Sequence, residues 1–334
     1  MKTYNPREQY HNLINFRKVE GRLPMVEWAA WWDQTTNRWK EEGLPQHMNT
    51  EEILRHFQLD EFPCVFVWPD KELHAPYHGG AIIEDEAGYE AIMHNLYPEG
   101  CIKYAAEQAE AIAERQARGE VIVRVWLDGF FWFPRKLLGI ENHLYAFYDQ
   151  PELLHRMASD LADFNLRALE AIFNVLTPDM VGFAEDMSYN NGPMLSHENF
   201  IEFLKPYYAK IVPYVKSKGV TAWVDTDGDV TQMIPWLLDA DIDGIFPLER
   251  QAGVDVAKIR KDHPTLLMFG AYDKMCMKKG EAAMRAEFER LLPVMKGGGF
   301  MPSVDHQTPP DVSLENYGIY RRLFEEYCIK AAER

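Results

Sequence analysis

Four short apolar runs in the C-terminal half of the chain end in acids or a histidine. They are Gly182-Phe183-Ala184-Glu185-Asp186, Ala222-Trp223-Val224-Asp225-Thr226-Asp227-Gly228, Ile245-Phe246-Pro247-Leu248-Glu249 and Phe300-Met301-Pro302-Ser303-Val304-Asp305-His306. Each reads as a buried strand delivering ionisable groups to one rim. A desolvated, unpaired carboxylate costs several kcal/mol, so such a cluster calls for a cation, a shared proton or hydrogen-bond donors. Asp225 and Asp227 are two apart on an extended segment and share a face. With Glu249 and His306 they make a set of three oxygen donors and one nitrogen donor, which suits Zn²⁺, Mn²⁺ or Fe²⁺ better than a thiolate-seeking metal. A second reading needs no metal: strand-end acids cap the next helix, as Asp229 is expected to do, or pair with a nearby cation, here Arg250 or Lys274.

Upstream of that set, Glu185-Asp186 leads into a loop, Met187 to Pro193, whose turn formers and hydrogen-bonding groups suit substrate contact; Tyr189 lies within it. Asp186 is the candidate for substrate orientation or general-base work, while Glu185 either touches substrate or ties the loop backbone. Asp128, amid Phe130, Phe131, Trp132 and Phe133, is a second polar anchor. Trp28 and Trp68 end two further apolar runs, and His78 follows the second of these beside Gly79-Gly80. An aromatic mouth suits a flat or apolar substrate, although single aromatics more often pack as core.

The elements that must position these groups follow from periodicity. Apolar runs at Leu23–Trp28, Cys64–Trp68, Val121–Leu127, Met180–Ala184, Val220–Val224, Gly244–Leu248, Leu266–Gly270 and Phe300–Val304 predict eight strands. Between most of them, apolar residues recurring at three and four predict helices over Tyr104–Arg118, Gln150–Phe173, Ser196–Lys218, Val230–Leu238, Val254–Lys261, Glu281–Met295 and Ser313–Ala332. Continuous apolar strands alternating with helices specify an α/β fold with a covered parallel sheet, a single (β/α)8 TIM barrel. Residues 1–60 form an N-terminal helical extension packed on the barrel of 61–334, although the first strand lies near 23–28. Within that extension Ala30–Leu59 is expected to be helical and to lie over one mouth. Ala81–Met93 is expected to be a small antiparallel insertion. No Gly-x-Gly-x-x-Gly follows the first strand to favour a doubly wound dinucleotide fold.

Composition bounds the partners. The chain has 334 residues, 47% hydrophobic, with 52 acids against 35 Lys and Arg and a net charge of −17. That charge opposes docking on nucleic acid or an anionic membrane, and leaves a small molecule or another protein. No leader or membrane span is legible, which is read as a cytoplasmic protein. Cys64, Cys101, Cys276 and Cys328 have no disulfide or zinc-ribbon spacing. An acidic barrel with surface aromatics is compatible with a homodimer, but no interface signature is legible.

Taken together, Gly192-Pro193-Met194-Leu195-Ser196 with Phe200, Phe203 and Pro206-Tyr207-Tyr208, Val224-Asp225-Thr226-Asp227-Gly228, Pro247-Leu248-Glu249, Gly253-Val254-Asp255, Gly270-Ala271-Tyr272-Asp273-Lys274 and Gly298 through His306 resemble the uroporphyrinogen decarboxylase superfamily. These (β/α)8 barrels include corrinoid-linked and corrinoid-independent methyltransferases. Two departures set the chain apart from true uroporphyrinogen decarboxylases. It lacks both an N-terminal Arg-Gln-Ala-Gly-Arg segment, the matching stretch reading Pro24-Met25-Val26-Glu27-Trp28, and a Phe-Ser-Asp-Ile segment, and Arg is scarce around the expected mouth. Zinc methyltransferases of the superfamily place His-x-Cys, sometimes Glu, and Cys where this chain has Asp225-x-Asp227, Glu249 and His306. The layout matches and the ligand types differ, since oxygen ligands leave a more Lewis-acidic metal. The resemblance therefore implies a metal-assisted methyltransferase, its divalent metal expected to be zinc, moving a methyl group from a small substrate to a corrinoid. A methoxylated aromatic is compatible with the aromatic mouth. No Asp-x-His-x-x-Gly corrinoid signature occurs, so a separate protein would carry that cofactor. The alternatives are uroporphyrinogen decarboxylase or another metal-free decarboxylase, and a small-molecule binding protein without turnover.

Overall fold

The computed structural model of the protein describes residues 4–29, 31–70 and 73–333. The chain divides into two compact units, one made of Cys64–Glu114 and Val123–Asp243, the other of Met1–Pro63, Arg115–Ile122 and Gly244–Arg334.

The unit formed by 64–114 and 123–243 is built on parallel strands β1 (Cys64–Val67), β2 (Arg124–Asp128) and β3 (Met180–Ala184). A two-residue hairpin, β4 (Ser188–Tyr189) with β5 (Gly192–Pro193), leaves the end of β3, and β6 (Thr221–Asp225) pairs with β3. The register aligns the strand ends, so that Asp128 lies opposite Ala184 and Ala184 opposite Asp225. Val125, Leu127, Val181, Phe183, Ala222 and Val224 are all fully buried. Helix Pro151–Phe173 covers them with the stripe Leu154, Met157, Leu161, Phe164, Ala168, at the spacing of one helical face. Gln108, on helix Glu99–Ala117, bonds both the N–H and the carbonyl of Phe66 on β1.

In the other unit, β7 (Gly244–Phe246), β8 (Leu267–Tyr272) and β9 (Phe300–Val304) are parallel neighbours. Helices Glu281–Gly297 and Leu314–Ala332 belong to this unit, as does the N-terminal segment, which is an integral part of its core. The Trp39 indole donates to Val312 O at 2.9 Å and Thr35 Oγ1 to Thr308 O at 2.9 Å, while Trp31, Trp39 and Phe57 pack around Tyr317. The helical stretch expected from Ala30 starts outside the described residues and resolves into two short helices, Asp33–Glu41 and Thr50–His56, the second opened by an Asn49/Glu52 capping box.

Two expectations are corrected. Leu23–Trp28 is buried but is not a strand. Pro24 has no N–H to give a ladder, and the neighbouring groups go elsewhere: Leu23 N–H to Cys328 O, Met25 N–H to the Asp60 carboxylate, and Asp60 N–H to Met25 O. Ala81–Met93 holds no antiparallel pair. Ile82 and Ile83 N–H both reach Leu137 O, and Asp85 then caps helix Glu86–Ile92. Seven of the eight expected strands are present, and each expected helix appears within a few residues of its predicted limits.

Candidate functional site

In the unit of β1 to β6 the strand ends gather acids with two cations inserted among them. Asp70, three residues beyond β1, and Asp128, the last residue of β2, are both buried. Lys136 Nζ joins them, donating to Asp128 Oδ2 at 2.8 Å and Asp70 Oδ2 at 3.1 Å. Burial raises the Asp128 carboxyl against the attraction of Lys136. Burial also works against the ammonium, but the two carboxylates outweigh it and hold Lys136 above its usual value. The amine therefore stays charged at neutral pH and is oriented on two sides. Asn165, fully buried on the covering helix, donates to the Asp128 carbonyl at 3.2 Å.

Lys136 reaches this position because the corner after β2 is clamped. The Glu185 carboxylate, completely buried, accepts from the N–H groups of Phe130 at 2.9 Å, Phe131 at 2.7 Å and Trp132 at 3.3 Å, and from Tyr208 Oη. Burial pushes this carboxyl up to about 7 in spite of those donors. A Cβ on Gly129 would lie 2.1 Å from the Glu185 carboxyl carbon, so only glycine fits at the turn. Helix Trp132–Leu138 then starts at a fixed point and carries Arg135 and Lys136 to their partners. Glu185 is thus a clamp on the loop backbone and is not placed to touch a substrate.

Asp186 takes a left-handed conformation, φ 50°, which costs a non-glycine residue about 1–2 kcal/mol. Arg135 Nη1 holds it by both ends, at 2.8 Å to its carbonyl and 3.3 Å to its carboxylate. Beside Arg135 and Lys136 lies a cavity of about 380 Å³, with His74, Tyr77, His78 and Trp132 also on its wall. Of the residues expected to bind substrate, His78 lines this cavity. Trp68 is instead half-exposed and stacked on Phe66, and Tyr189 is exposed at the β4–β5 turn. Asp70, Arg135 and Lys136 were missed by sequence reasoning. Arg135-Lys136 directly after an aromatic run was the signal available.

The expected metal ligands are divided between the units. Asp225 ends β6, and its carbonyl accepts from the N–H groups of Glu185 and Asp186. Asp227 contributes its carbonyl to Ser188 Oγ at 2.6 Å, and Asp229 caps the turn at Thr231 as expected. In the other unit Lys274 Nζ lies 3.7 Å from Glu249 and 3.3 Å from Asp305. The alternative weighed for Glu249, pairing with Lys274, is therefore present. Asp305 also accepts from Arg250 N and Lys274 N, and burial pushes its carboxyl up to about 6. His306 meets Trp28 edge to face, with ring centroids 5.7 Å apart. Among the described residues there is no group of three His, Cys, Asp or Glu side chains able to hold a metal ion.

Comparison with known proteins gives the family. Residues 67–327 match the family model for uroporphyrinogen decarboxylase, and the chain belongs to that family. Its fold class is accordingly the (β/α)8 barrel. A methyltransferase from Methanosarcina mazei is similar in fold, with a TM-score of 0.65 at 13% sequence identity over 97% of this chain and 99% of that one. A protein assigned as a vitamin-B12-independent methionine synthase from Listeria monocytogenes gives a TM-score of 0.44 at 11% identity, over 93% of this chain and 96% of that one. No curated protein matches the chain. No helix among the described residues is long and apolar enough to cross a membrane.

Proposed function

We propose that this member of the uroporphyrinogen decarboxylase family is a methyltransferase that takes a methyl group from the oxygen of a small, methoxylated aromatic substrate held in the cavity beside Lys136. The observation that carries this reading is the Lys136 ammonium, oriented by Asp70 and Asp128 on a cavity wall that also carries Trp132 and Tyr77. When a methyl carbon leaves an aryl ether, the oxygen keeps the bonding pair and becomes a phenoxide. A fixed ammonium beside that oxygen stabilises the developing charge, and the released phenoxide takes its proton from solvent while Lys136 stays an ammonium. The charge that develops is met by a group already oriented, so little reorganisation accompanies the step. The proposed acceptor is a corrinoid on a separate protein, which supplies the nucleophile. A cavity of about 150 Å³ holds a benzene, so the volume here admits a substituted ring.

A divalent metal, zinc first, stays part of the proposal as a component to be measured, and no step above runs through it. Elemental analysis of the purified protein beside Asp227→Ala and His306→Ala tests it: near-stoichiometric metal lost in both variants supports the four-ligand set, and metal retained in both discards it. The reaction is tested by incubating the enzyme with methoxylated aromatics and free cob(I)alamin and following methylcobalamin. Formation that Lys136→Met abolishes is expected. If no methoxylated aromatic yields methylcobalamin while carboxylic acids release CO₂, decarboxylation replaces methyl transfer. That second reading is favoured by the presence of Arg135 on the same wall.

A further inference from the structure

Arg135 has a guanidinium with five N–H donors, and Asp186 engages only one of its nitrogens. Both bonds to Asp186, to the carbonyl and to the carboxylate, leave from Nη1. Among the described residues no acceptor meets Nε or Nη2, and neither is sealed from solvent. Arg135 lines the cavity, with its guanidinium carbon 5.2 Å from the centre of the Trp132 ring. The Nε/Nη2 edge is the side of the fork whose two parallel N–H bonds match a carboxylate.

We infer that the substrate bears one carboxylate, which seats on the Nε/Nη2 edge of Arg135 while its ring lies in the cavity beside Trp132. The inference rests on the proposed reading of the cavity as the substrate site and does not depend on which bond the enzyme breaks. Charge decides between an acid and a neutral ring. Asp70 and Asp128 are more deeply buried than the Lys136 that joins them, and Asp186 engages Arg135 only through Nη1, away from the Nε/Nη2 edge. A carboxylate on the open edge lies about 3 Å from the guanidinium nitrogens and roughly twice as far from Asp186, so attraction outweighs repulsion about two to one. One open fork accepts one carboxylate.

The test is calorimetric titration of the full chain with benzoate and with its neutral isostere benzamide, then with both on Arg135→Gln and Arg135→Lys. Neither probe has a methyl group to lose, so binding is read separately from the reaction. Benzoate is expected to bind about tenfold or more tighter than benzamide. Arg135→Gln should erase that preference, and Arg135→Lys should keep only part of it, because an ammonium attracts the charge but lacks the fork. Equal binding of the two probes, binding of neither, or an unchanged preference in Arg135→Gln overturns the inference. Preference for benzoate with no methylcobalamin from methoxybenzoates overturns the proposed reaction and supports the subsite.

Discussion

Both units end their strands in the same three-body arrangement, a lysine between two carboxylates, yet the surroundings give it different work. In the unit of β1 to β6, Lys136 spans Asp70 and Asp128 and stands on a cavity wall. In the unit of β7 to β9, Lys274 spans Asp305 and Glu249, and Asp305 is further bound by the N–H groups of Arg250 and Lys274 itself. The second cluster therefore stitches the turn after β7 to the turn after β8. Backbone strain follows the same division. Asp186 is held left-handed by the Arg135 side chain, whereas Leu248 and Ala271, φ 62° and 67°, lie on either side of a main-chain contact, Ala271 N–H to Pro247 O at 2.9 Å. A side-chain partner can be displaced or shared with a ligand, and a backbone partner cannot. Ion-pair chemistry alone does not distinguish a site from a brace; what the cation faces on its remaining side does.

Substitutions can break or sharpen that contrast. The largest effect is expected from Lys136→Met, which leaves Asp70 and Asp128 buried without their cation and should cost about 3–5 kcal/mol in urea unfolding as well as activity. A loss below about 1 kcal/mol would show that the two acids do not depend on the lysine. Gly129→Ala drives a methyl into the Glu185 carboxylate and should cost about 1–3 kcal/mol, with benzoate affinity falling because the corner carrying Arg135 shifts. Full affinity in a stably folded variant would refute the clamp. Asp305→Asn, in the brace, should cost about 1–2 kcal/mol while benzoate affinity stays within about twofold of the parent. Affinity lost along with stability would erase the distinction between the clusters.

The smallest effect is a slope. Burial pushes the carboxyls of Glu27 and Glu185 up to about 7 from 4.5, Glu27 with Tyr317 at 2.9 Å and Ser303 at 3.2 Å as donors. The folded chain holds these protons more tightly than the unfolded chain does. Their contribution to stability is therefore complete below pH 4.5 and is lost as the pH rises through about 7. Thermal midpoints should decline across that window, and Glu27→Gln should flatten part of the decline. An unaltered slope in that variant would mean that Glu27 is already ionised at the lower end.

Much of this was legible in the residues, for local reasons. Val, Ile, Phe and Trp runs of five to seven residues marked seven of the strands, and a period of three and four marked the helices, because burial on one face leaves that periodicity in the chain whatever the neighbours are. Asp128, Glu185, Asp186, Asp225 and Asp305 could be placed at strand ends for the same reason. The failures were local patterns overridden by long-range partners. Leu23–Trp28 has the composition of a strand, but Asp60 and Cys328 take its backbone groups, and Ala81–Met93 is tied to Leu137 before any hairpin can form.

What the sequence by itself determined is the alternation of strands and helices, the family and most of the acids on the rims, Asp70 excepted. Only the tertiary structure decided their partners: Lys136 with Asp70 across 66 positions, Arg135 with Asp186 across 51, and Glu185 with three N–H groups more than 50 positions upstream. The reason is physical. Propensity and periodicity act within a few residues and leave a trace there, whereas an ion pair forms wherever the packed chain brings a cation within about 4 Å of an acid, a distance set by the whole path between them.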